Sequence, residues 1–425
     1  MNKDWITTWE ALKAVYVDEA YSNMAINEAI ERHDGCSTGF VRVFAKGVIR
    51  DTIKLDYYID KLAEKGVSGI KARTLIILRM GLYAIESLDS VPDYAAVNET
   101  VSLAKSLSRG SDRFVNAIMR SFLRKRDELS ISDDNLSLRY SFPEELTELL
   151  EDQYGDEAES IIKGLSEPPA LVIRSNILKN SRKELKDLLA AEGITTKESA
   201  ESDIALICEG GNILNTECYR QGRFSVQSLS SIMSVESFLR LSKDAPDCNR
   251  ILDMCAAPGG KSAEMAELTG DDASITACDV YEHRLGLIDA TAERLGIKSI
   301  TAVLHDGTEH VAEYVERFGR VLADVPCSGL GAVATKPELK IRTRTEDYAE
   351  LEDIQYKILM NAISYTVPGG YIEYSTCTLN RDENERLVDK VLKDCKLAHI
   401  VENSVILPYN NKIGFYKCIL QRNVL

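Results

Sequence analysis

Along the first 130 residues, apolar positions recur at three- and four-residue spacing, the period of a helix with one buried face. Phe40–Lys61, Lys71–Leu88, Tyr94–Ser108 and Asp112–Arg126 all carry this pattern. Turn residues separate them, as in Leu88-Asp-Ser-Val-Pro92 and Ser108-Arg-Gly-Ser111, and Asp112 is placed to cap the helix after it. Residues 1-130 are therefore expected to form an all-α domain. The pattern then loosens. Ser130–Asn135 is a polar linker, and Pro143–Tyr154 and Glu157–Leu165 read as short helices. Ala170–Arg174 reads as a short strand, and Ser181–Ala191 as an amphipathic helix with Ser181 as its cap. Residues 131-243 are expected to be a small α+β linker domain. Beyond Pro246, strands alternate with helices, as in a parallel sheet wrapped on both faces. The strands are expected at Arg250–Met254, Ser274–Asp279, Ile300–His305, Arg320–Asp324 and Gly370–Ser375. The helices are expected at Ser262–Leu268, His283–Leu295, Val311–Phe318, Tyr348–Tyr365 and Arg381–Leu392, with β-like runs near Val405–Leu407 and Phe415–Leu420. Residues 244-425 read as an α/β Rossmann-like domain, and the whole chain as multidomain.

Composition narrows the class. With 44% hydrophobic and 28% charged residues, the chain has the profile of a soluble globular protein. No apolar run approaches the roughly 18 residues that span a bilayer, and MNKDWITTWE lacks a signal-peptide pattern, so a cytoplasmic location without a membrane partner is expected. The net charge of −16 argues against indiscriminate nucleic-acid binding, but binding depends on local patches. One patch runs from Arg109 to Arg126 with a single acid, Asp112; within it Arg113, Arg120 and Arg124 share a helical face. The ten cysteines never form a CxxC pair, which weakens zinc-ribbon and thioredoxin readings, and no metal is expected.

The chemistry gathers at strand ends. Leu252-Asp-Met-Cys-Ala-Ala-Pro-Gly-Gly-Lys-Ser262 joins the first strand of the α/β domain to its helix, where cofactors bind such sheets. Gly259 and Gly260 allow close backbone approach to a ligand. Gly260-Lys261-Ser262 fits the end of a P-loop, but Cys255 occupies the leading glycine position, and the GxGxxG fingerprint is absent. Asp279 ends the second strand about twenty residues after the glycines, where an acid accepts from ribose hydroxyls and favours an unphosphorylated adenosine cofactor. Asp306, after the third strand, is positioned for an adenine edge. Asp324-Val-Pro-Cys-Ser-Gly-Leu-Gly331 ends the fourth strand and Tyr374-Ser-Thr-Cys-Thr378 the fifth. An isolated cysteine is usually core packing; Cys327 and Cys377 at strand ends on one crevice point instead to nucleophilic catalysis with two sulfurs.

Together these segments resemble the RNA 5-methylcytosine methyltransferases of the RsmB/Sun (Fmu) type, which methylate 16S ribosomal RNA. DMCAAPGGKS, DVPCSGLG and YSTCT occur in the family's order, and Gln355 and Glu383-Asn-Glu385 also fit. Phe40-Val-Arg, Arg79-Met-Gly-Leu-Tyr83, Pro92–Thr100 and Phe114–Arg120 resemble the NusB-like helical RNA-binding domain of that subfamily. The resemblance implies a class I methyltransferase domain and S-adenosyl-L-methionine as cofactor. It assigns the cofactor loop to Cys255, Ala256, Ala257, Pro258, Gly259, Gly260 and Lys261, the ribose to Asp279, the adenine side to Asp306, and a place beside both cofactor and base to Asp324. Cys377 would be the nucleophile and Cys327 would assist product release. Activity EC 2.1.1.176 on 16S rRNA, free or in an early small-subunit particle, is implied, with RNA contacts at Arg113, Arg120, Arg124 and Lys336 and a monomeric state. A tRNA (or other RNA) cytosine-5 methyltransferase is the alternative. A DNA cytosine-5 enzyme would place the nucleophile at Cys327, and a non-enzymatic assembly factor would use mainly the helical domain. Two positions depart from the family: Gln227 is followed by Ser228 rather than Asp, and the Arg-His/Lys-Pro element appears as Thr335-Lys336-Pro337.

Overall fold

The computed structural model describes residues 2–342 and 347–424. The chain divides into two units. One runs from the N-terminus to Glu167 and takes in a later segment from Val333 to Arg342; the other holds Pro168–Ala332 and the remainder of the chain.

The first unit is helical: α1 (Lys3–Tyr16), α2 (Ser22–Arg32), α3 (Thr38–Arg50), α4 (Thr52–Leu62), α5 (Ala72–Ser87), α6 (Asp93–Leu107), α7 (Asp112–Lys125), α8 (Leu136–Arg139), α9 (Glu144–Tyr154) and α10 (Ala158–Ser166). Helix α5 is its axis, buried without a break from Ile76 to Ile85, with α1, α3, α4, α6 and α7 packed around it. Gly47 of α3 makes room for an aromatic ring of α5: a Cβ there would lie 2.0 Å from the Tyr83 hydroxyl. The periodicity over Phe40–Lys61, read as one helix, is split at Asp51. Thr52 Oγ1 donates to the carbonyls of Val48 and Ile49 at 3.1 and 2.8 Å, taking up acceptors that a continuous helix would use. Ser111, not Asp112, holds the cap position of α7; Asp112 lies in the first turn, where its charge suits the helix dipole. The returning segment ends in α16 (Leu339–Arg342) and is tied in by polar contacts. Glu338 accepts from Ser22 N at 3.0 Å, Lys340 Nζ donates to Ser141 O at 2.5 Å, and Arg342 donates to Val15 O and Ala20 O, both at 2.8 Å.

The second unit has two sheets. The smaller is antiparallel in the order β2-β3-β1-β4, from β1 (Leu171–Ser175), β2 (Thr196–Glu198), β3 (Ala205–Cys208) and β4 (Phe224–Val226), with α11 (Arg182–Ala191), α12 (Glu217–Arg220) and α13 (Leu229–Leu241). Ser181 caps α11 and Glu184 returns the bond, a full capping box. The larger sheet is ordered β10-β11-β9-β8-β5-β6-β7. Its strands are β5 (Arg250–Asp253), β6 (Ser274–Asp279), β7 (Ile300–Leu304), β8 (Phe318–Asp324), β9 (Thr366–Thr376), β10 (Ala398–Ile406) and β11 (Phe415–Arg422). β5 to β9 pair in parallel, and β11 adds antiparallel to β9. Helices α14 (Gly260–Leu268), α15 (Glu282–Leu295), α17 (Tyr348–Tyr365) and α18 (Glu385–Cys395) flank it. The expected helix over Val311–Phe318 is instead a single 3₁₀ turn, Ala312–Tyr314. Beyond it the amides of Glu316 and Arg317 donate to Ser364 O and Tyr365 O at 3.1 and 2.9 Å, which draws the backbone out of helix and into β8. Among the described residues no helix is long and apolar enough to cross a membrane. The strand order reverses beside β5, so a crevice opens at the carboxyl ends of β5 and β8.

Candidate active site

Because β9, β8 and β5 are neighbours in the sheet, the loops leaving their carboxyl ends share one rim. The β5 loop begins at Asp253, buried at 1% exposure, whose carboxylate accepts from Ser262 Oγ at 2.5 Å. Burial pushes its pKa up to about 7. Ala256 N donates to Cys278 O and Gly259 N to Ala256 O, each at 2.7 Å, which folds the loop back on itself. Gly259 sits at φ +98°, a left-handed conformation that favours glycine, and a Cβ there would lie 3.3 Å from Ile288 Cα. The Ala257–Pro258 peptide is cis, and the Pro258 carbonyl accepts from Thr291 Oγ1 at 2.8 Å. Burial, together with Asp253, Asp324 and Asp279, holds the Cys255 thiol well above the usual thiol range, so it stays neutral.

Gly260 opens α14, and Lys261 reaches across to β8: its Nζ lies 2.5 Å from Asp324 Oδ1 and 4.9 Å from the Phe415 ring centre. Burial opposes the ammonium charge, but Asp324, with Glu373 and Cys377, outweighs it and raises the pKa of Lys261. Ser375 Oγ donates to the same Asp324 oxygen at 2.9 Å. On the other side of β5, Asp279 accepts from Tyr281 N at 3.1 Å, and Asp306 accepts from Thr308 N and Oγ1 at 2.9 and 2.7 Å. His305 N donates to Asp279 O at 3.1 Å and keeps the ends of β6 and β7 together. Val280, Tyr281 and Leu304, 48%, 50% and 55% exposed, form an apolar lip beside the two acids.

The Cys327 and Cys377 sulfurs are 3.4 Å apart. Glu383, fully buried, joins the two loops that carry them: it accepts from Ser328 N at 2.8 Å, Ser328 Oγ at 2.5 Å, Gln355 Nε2 at 2.9 Å and Asn380 Nδ2 at 3.3 Å. Gln355 also donates to Pro326 O at 2.9 Å, and Gly331 N to Cys377 O at 2.9 Å. The hydrogen bond with Cys377, reinforced by burial, raises the Cys327 pKa well above the ordinary thiol range, so Cys327 keeps its proton. A thiol pair, a paired lysine and aspartate, and a glycine turn therefore converge on one rim.

The family model described as 16S rRNA methyltransferase RsmB/F matches residues 241–422, the NusB family residues 6–124, and the ferredoxin-like domain of RsmF/B-like methyltransferases residues 142–213. The chain is 33% identical over 394 residues to the probable ribosomal RNA small subunit methyltransferase B of Bacillus subtilis, covering 91% of this chain and 87% of that protein. It belongs to the ribosomal RNA small subunit methyltransferase B family. The Synechocystis relative of the same name is 34% identical over 387 residues, covering 88% of this chain and 86% of its own length. In fold, the chain is similar to the crystal structure of PH0851, with TM-score 0.83, 22% identity, and coverage of 99% and 98%. It is also similar to NSun6 from Pyrococcus horikoshii with SFG, with TM-score 0.58, 22% identity, and coverage of 67% and 99%.

In this methyltransferase the residues expected at the cofactor loop and the catalytic rim come together in the second unit. Arg113, Arg120 and Arg124 lie exposed on α7 in the first unit, and so does Lys336 in its returning segment. Arg120 is held by Asn116 at 3.3 Å and Arg124 by Ser121 at 3.1 Å. Four buried ionisable residues near the rim were not singled out from the sequence: Arg174, Glu264, Glu267 and Glu373. Glu373 lies two residues before Ser375 on β9, on the same strand face, and its carboxylate accepts from Ser234 Oγ. The available signal was a charged residue inside an apolar strand, as in Leu-Val-Ile-Arg174 and Tyr-Ile-Glu373-Tyr.

Proposed function

We propose that the protein transfers a methyl group from S-adenosyl-L-methionine to carbon 5 of a specific cytosine in 16S ribosomal RNA, through a transient bond between Cys377 and the ring (EC 2.1.1.176). The observation that carries this reading is the 3.4 Å approach of Cys327 and Cys377 beside the Lys261–Asp324 pair. In this reading residues 244-425 are catalytic, residues 131-243 are a small RNA-recognition and linker domain, and residues 1-130 are a NusB-like RNA-binding domain. Arg113, Arg120, Arg124 and Lys336 meet RNA phosphates.

The crevice suits the cofactor. The left-handed turn at Gly259 leads into α14, Asp279 and Asp306 stand at and just beyond the carboxyl ends of β6 and β7, and the exposed Val280, Tyr281 and Leu304 offer an apolar lip to a purine. Residues 255 to 261, Asp279, Asp306 and Asp324 would hold it. S-adenosyl-L-methionine supplies an electrophilic methyl group.

Cytosine carbon 5 is a poor nucleophile. Addition of the Cys377 thiolate to carbon 6 makes carbon 5 enamine-like, able to take that methyl group. In this reading Cys377 is the sulfur that adds as the thiolate, while burial and the hydrogen bond with Cys377 hold the proton on Cys327. Asp324, fixed by Lys261 and Ser375, accepts a hydrogen bond from the cytosine amino group and stabilises charge that develops on the ring, a preorganised contribution of a few kcal/mol. Loss of the carbon 5 proton to a base then breaks the carbon–sulfur bond, and Cys327 assists by returning a proton to the departing Cys377. The target base must leave its stack to reach this rim.

Bisulfite sequencing of rRNA and tRNA from cells with and without the gene tests the substrate. The expected result is loss of one 16S mark, restored by wild type and not by Cys377→Ala. Loss of a tRNA mark instead would overturn the 16S assignment, and restoration by Cys377→Ala would overturn the nucleophile.

A further inference from the structure

Arg174 belongs to β1 in the small antiparallel sheet, yet its side chain has no solvent exposure and ends against the cofactor loop. Its Nε and Nη2 donate to Glu267 at 3.0 and 2.9 Å, in the bidentate geometry that a guanidinium shares with a carboxylate. Its Nη1 donates to the carbonyl of Gly260 at 2.9 Å, to Glu264 at 3.4 Å and to Gln227 Oε1. Gln227 in turn donates to Glu264. One buried cation thus grips the first, fifth and eighth residues of α14. Gly260 is the residue between the left-handed Gly259 and Lys261, so the grip acts on the turn itself.

A guanidinium taken out of water is costly, and a hydrophobic replacement would often be as stable. What the charge adds is direction: five donors in a rigid fork fix the orientation of whatever accepts them. Burial pushes the Glu264 pKa well above the usual carboxylate range, against the lowering by the Arg174 guanidinium that it shares with Glu267. The Glu264 oxygen Oε1, buried and without a hydrogen-bond partner, fits a group retained for geometry.

We propose that Arg174 is a positioning residue for the cofactor: by holding Gly260 and α14 from the small sheet, it sets the Gly259–Lys261 turn in its cofactor-binding conformation. The proposal rests on the assignment of that turn to S-adenosyl-L-methionine. Arg174→Met should weaken binding of S-adenosylhomocysteine to the full chain at least tenfold by calorimetry. It should raise KM for S-adenosyl-L-methionine by a similar factor and leave kcat at saturating cofactor within about threefold. Arg174→Lys, which restores the charge without the fork, should recover only part of the affinity. A general loss of folded protein would lower kcat and leave KM unchanged, which would overturn the proposal; so would wild-type affinity in Arg174→Met. Should Arg174→Met fail to fold, Arg174→Lys decides: KM at the wild-type value overturns the proposal, and a raised KM with kcat retained supports it. Failure of the wild-type protein itself to bind S-adenosylhomocysteine would instead sink the cofactor assignment.

Discussion

Glu383 has no solvent access and takes four hydrogen bonds from three residues, two of them from Ser328 beside Cys327 and the others from Gln355 and Asn380. A carboxylate is the side chain that accepts from every direction. Glu383→Gln would turn one acceptor into a donor facing donors, where each charged hydrogen bond contributes about 1.5–3 kcal/mol. The expected result is a kcat roughly a hundredfold lower with S-adenosylhomocysteine affinity unchanged; an unaltered kcat would show that the two cysteine loops align without it. Glu373 makes a different prediction. Burial raises its pKa from 4.5 to about 7, against a lowering by Ser234, Lys261 and Lys417, while Asp324 adds to the rise. The folded state therefore holds this proton more tightly than the unfolded chain. Its stabilising effect is fully present below the unfolded pKa of 4.5 and is lost as pH rises through about 7. Relative to wild type, Glu373→Gln should gain stability between about pH 5 and about pH 8, by on the order of 3 kcal/mol at most. Urea unfolding of both proteins at the two pH values measures the gain, and parallel pH dependence would refute it.

At the scale of elements, Gly331 is the point where three backbone segments close on the site. A Cβ there would lie 2.0 Å from Gly414 O and 2.8 Å from Cys377 O, and neither is a side chain that can swing away. Gly331→Ala should cost about 1–3 kcal/mol and displace Cys377, lowering kcat more than about tenfold; wild-type turnover would contradict the packing argument. The same scale shows what the pattern of apolar residues could reveal. β6 and α17 run from Ser274 to Asp279 and from Tyr348 to Tyr365, as their periodicity predicts, because each buries a face long enough to carry a period. β2 and β4 have three residues each and carry none. α13 buries Ser230, Ser234 and Ser237 on its inner face, so its helical period is hidden by polar identities. The rim that carries Cys327 and Cys377 was legible because its motifs sit at strand ends. The Arg174 cluster was not, since its partners on α14 lie 90 and 93 residues away and only the tertiary fold brings them together. Ser228 resolves one departure from the family: its side chain caps α13 by accepting from Ser231 N, a task serine and aspartate perform equally well.

For the whole molecule, a net charge of −16 means that RNA must be met by a local basic surface against a repulsive background. In the proposed reading Arg113, Arg120 and Arg124, exposed on α7, supply such a surface. Each phosphate contact contributes about 0.7–0.9 to the slope of log affinity against log salt, so replacing all three by alanine should reduce the slope by roughly two to three. An unchanged slope would move the RNA footprint elsewhere. The account as a whole stands on the division of labour between two sulfurs 3.4 Å apart. The most direct measurement uses Cys327→Ala with S-adenosyl-L-methionine and unmethylated 16S RNA, followed by denaturing electrophoresis and peptide mass spectrometry. The account predicts a covalent protein–RNA adduct on the peptide carrying Cys377, abolished when Cys377 is also changed to alanine. An adduct on any other residue, or an adduct that persists in the double variant, would contradict it.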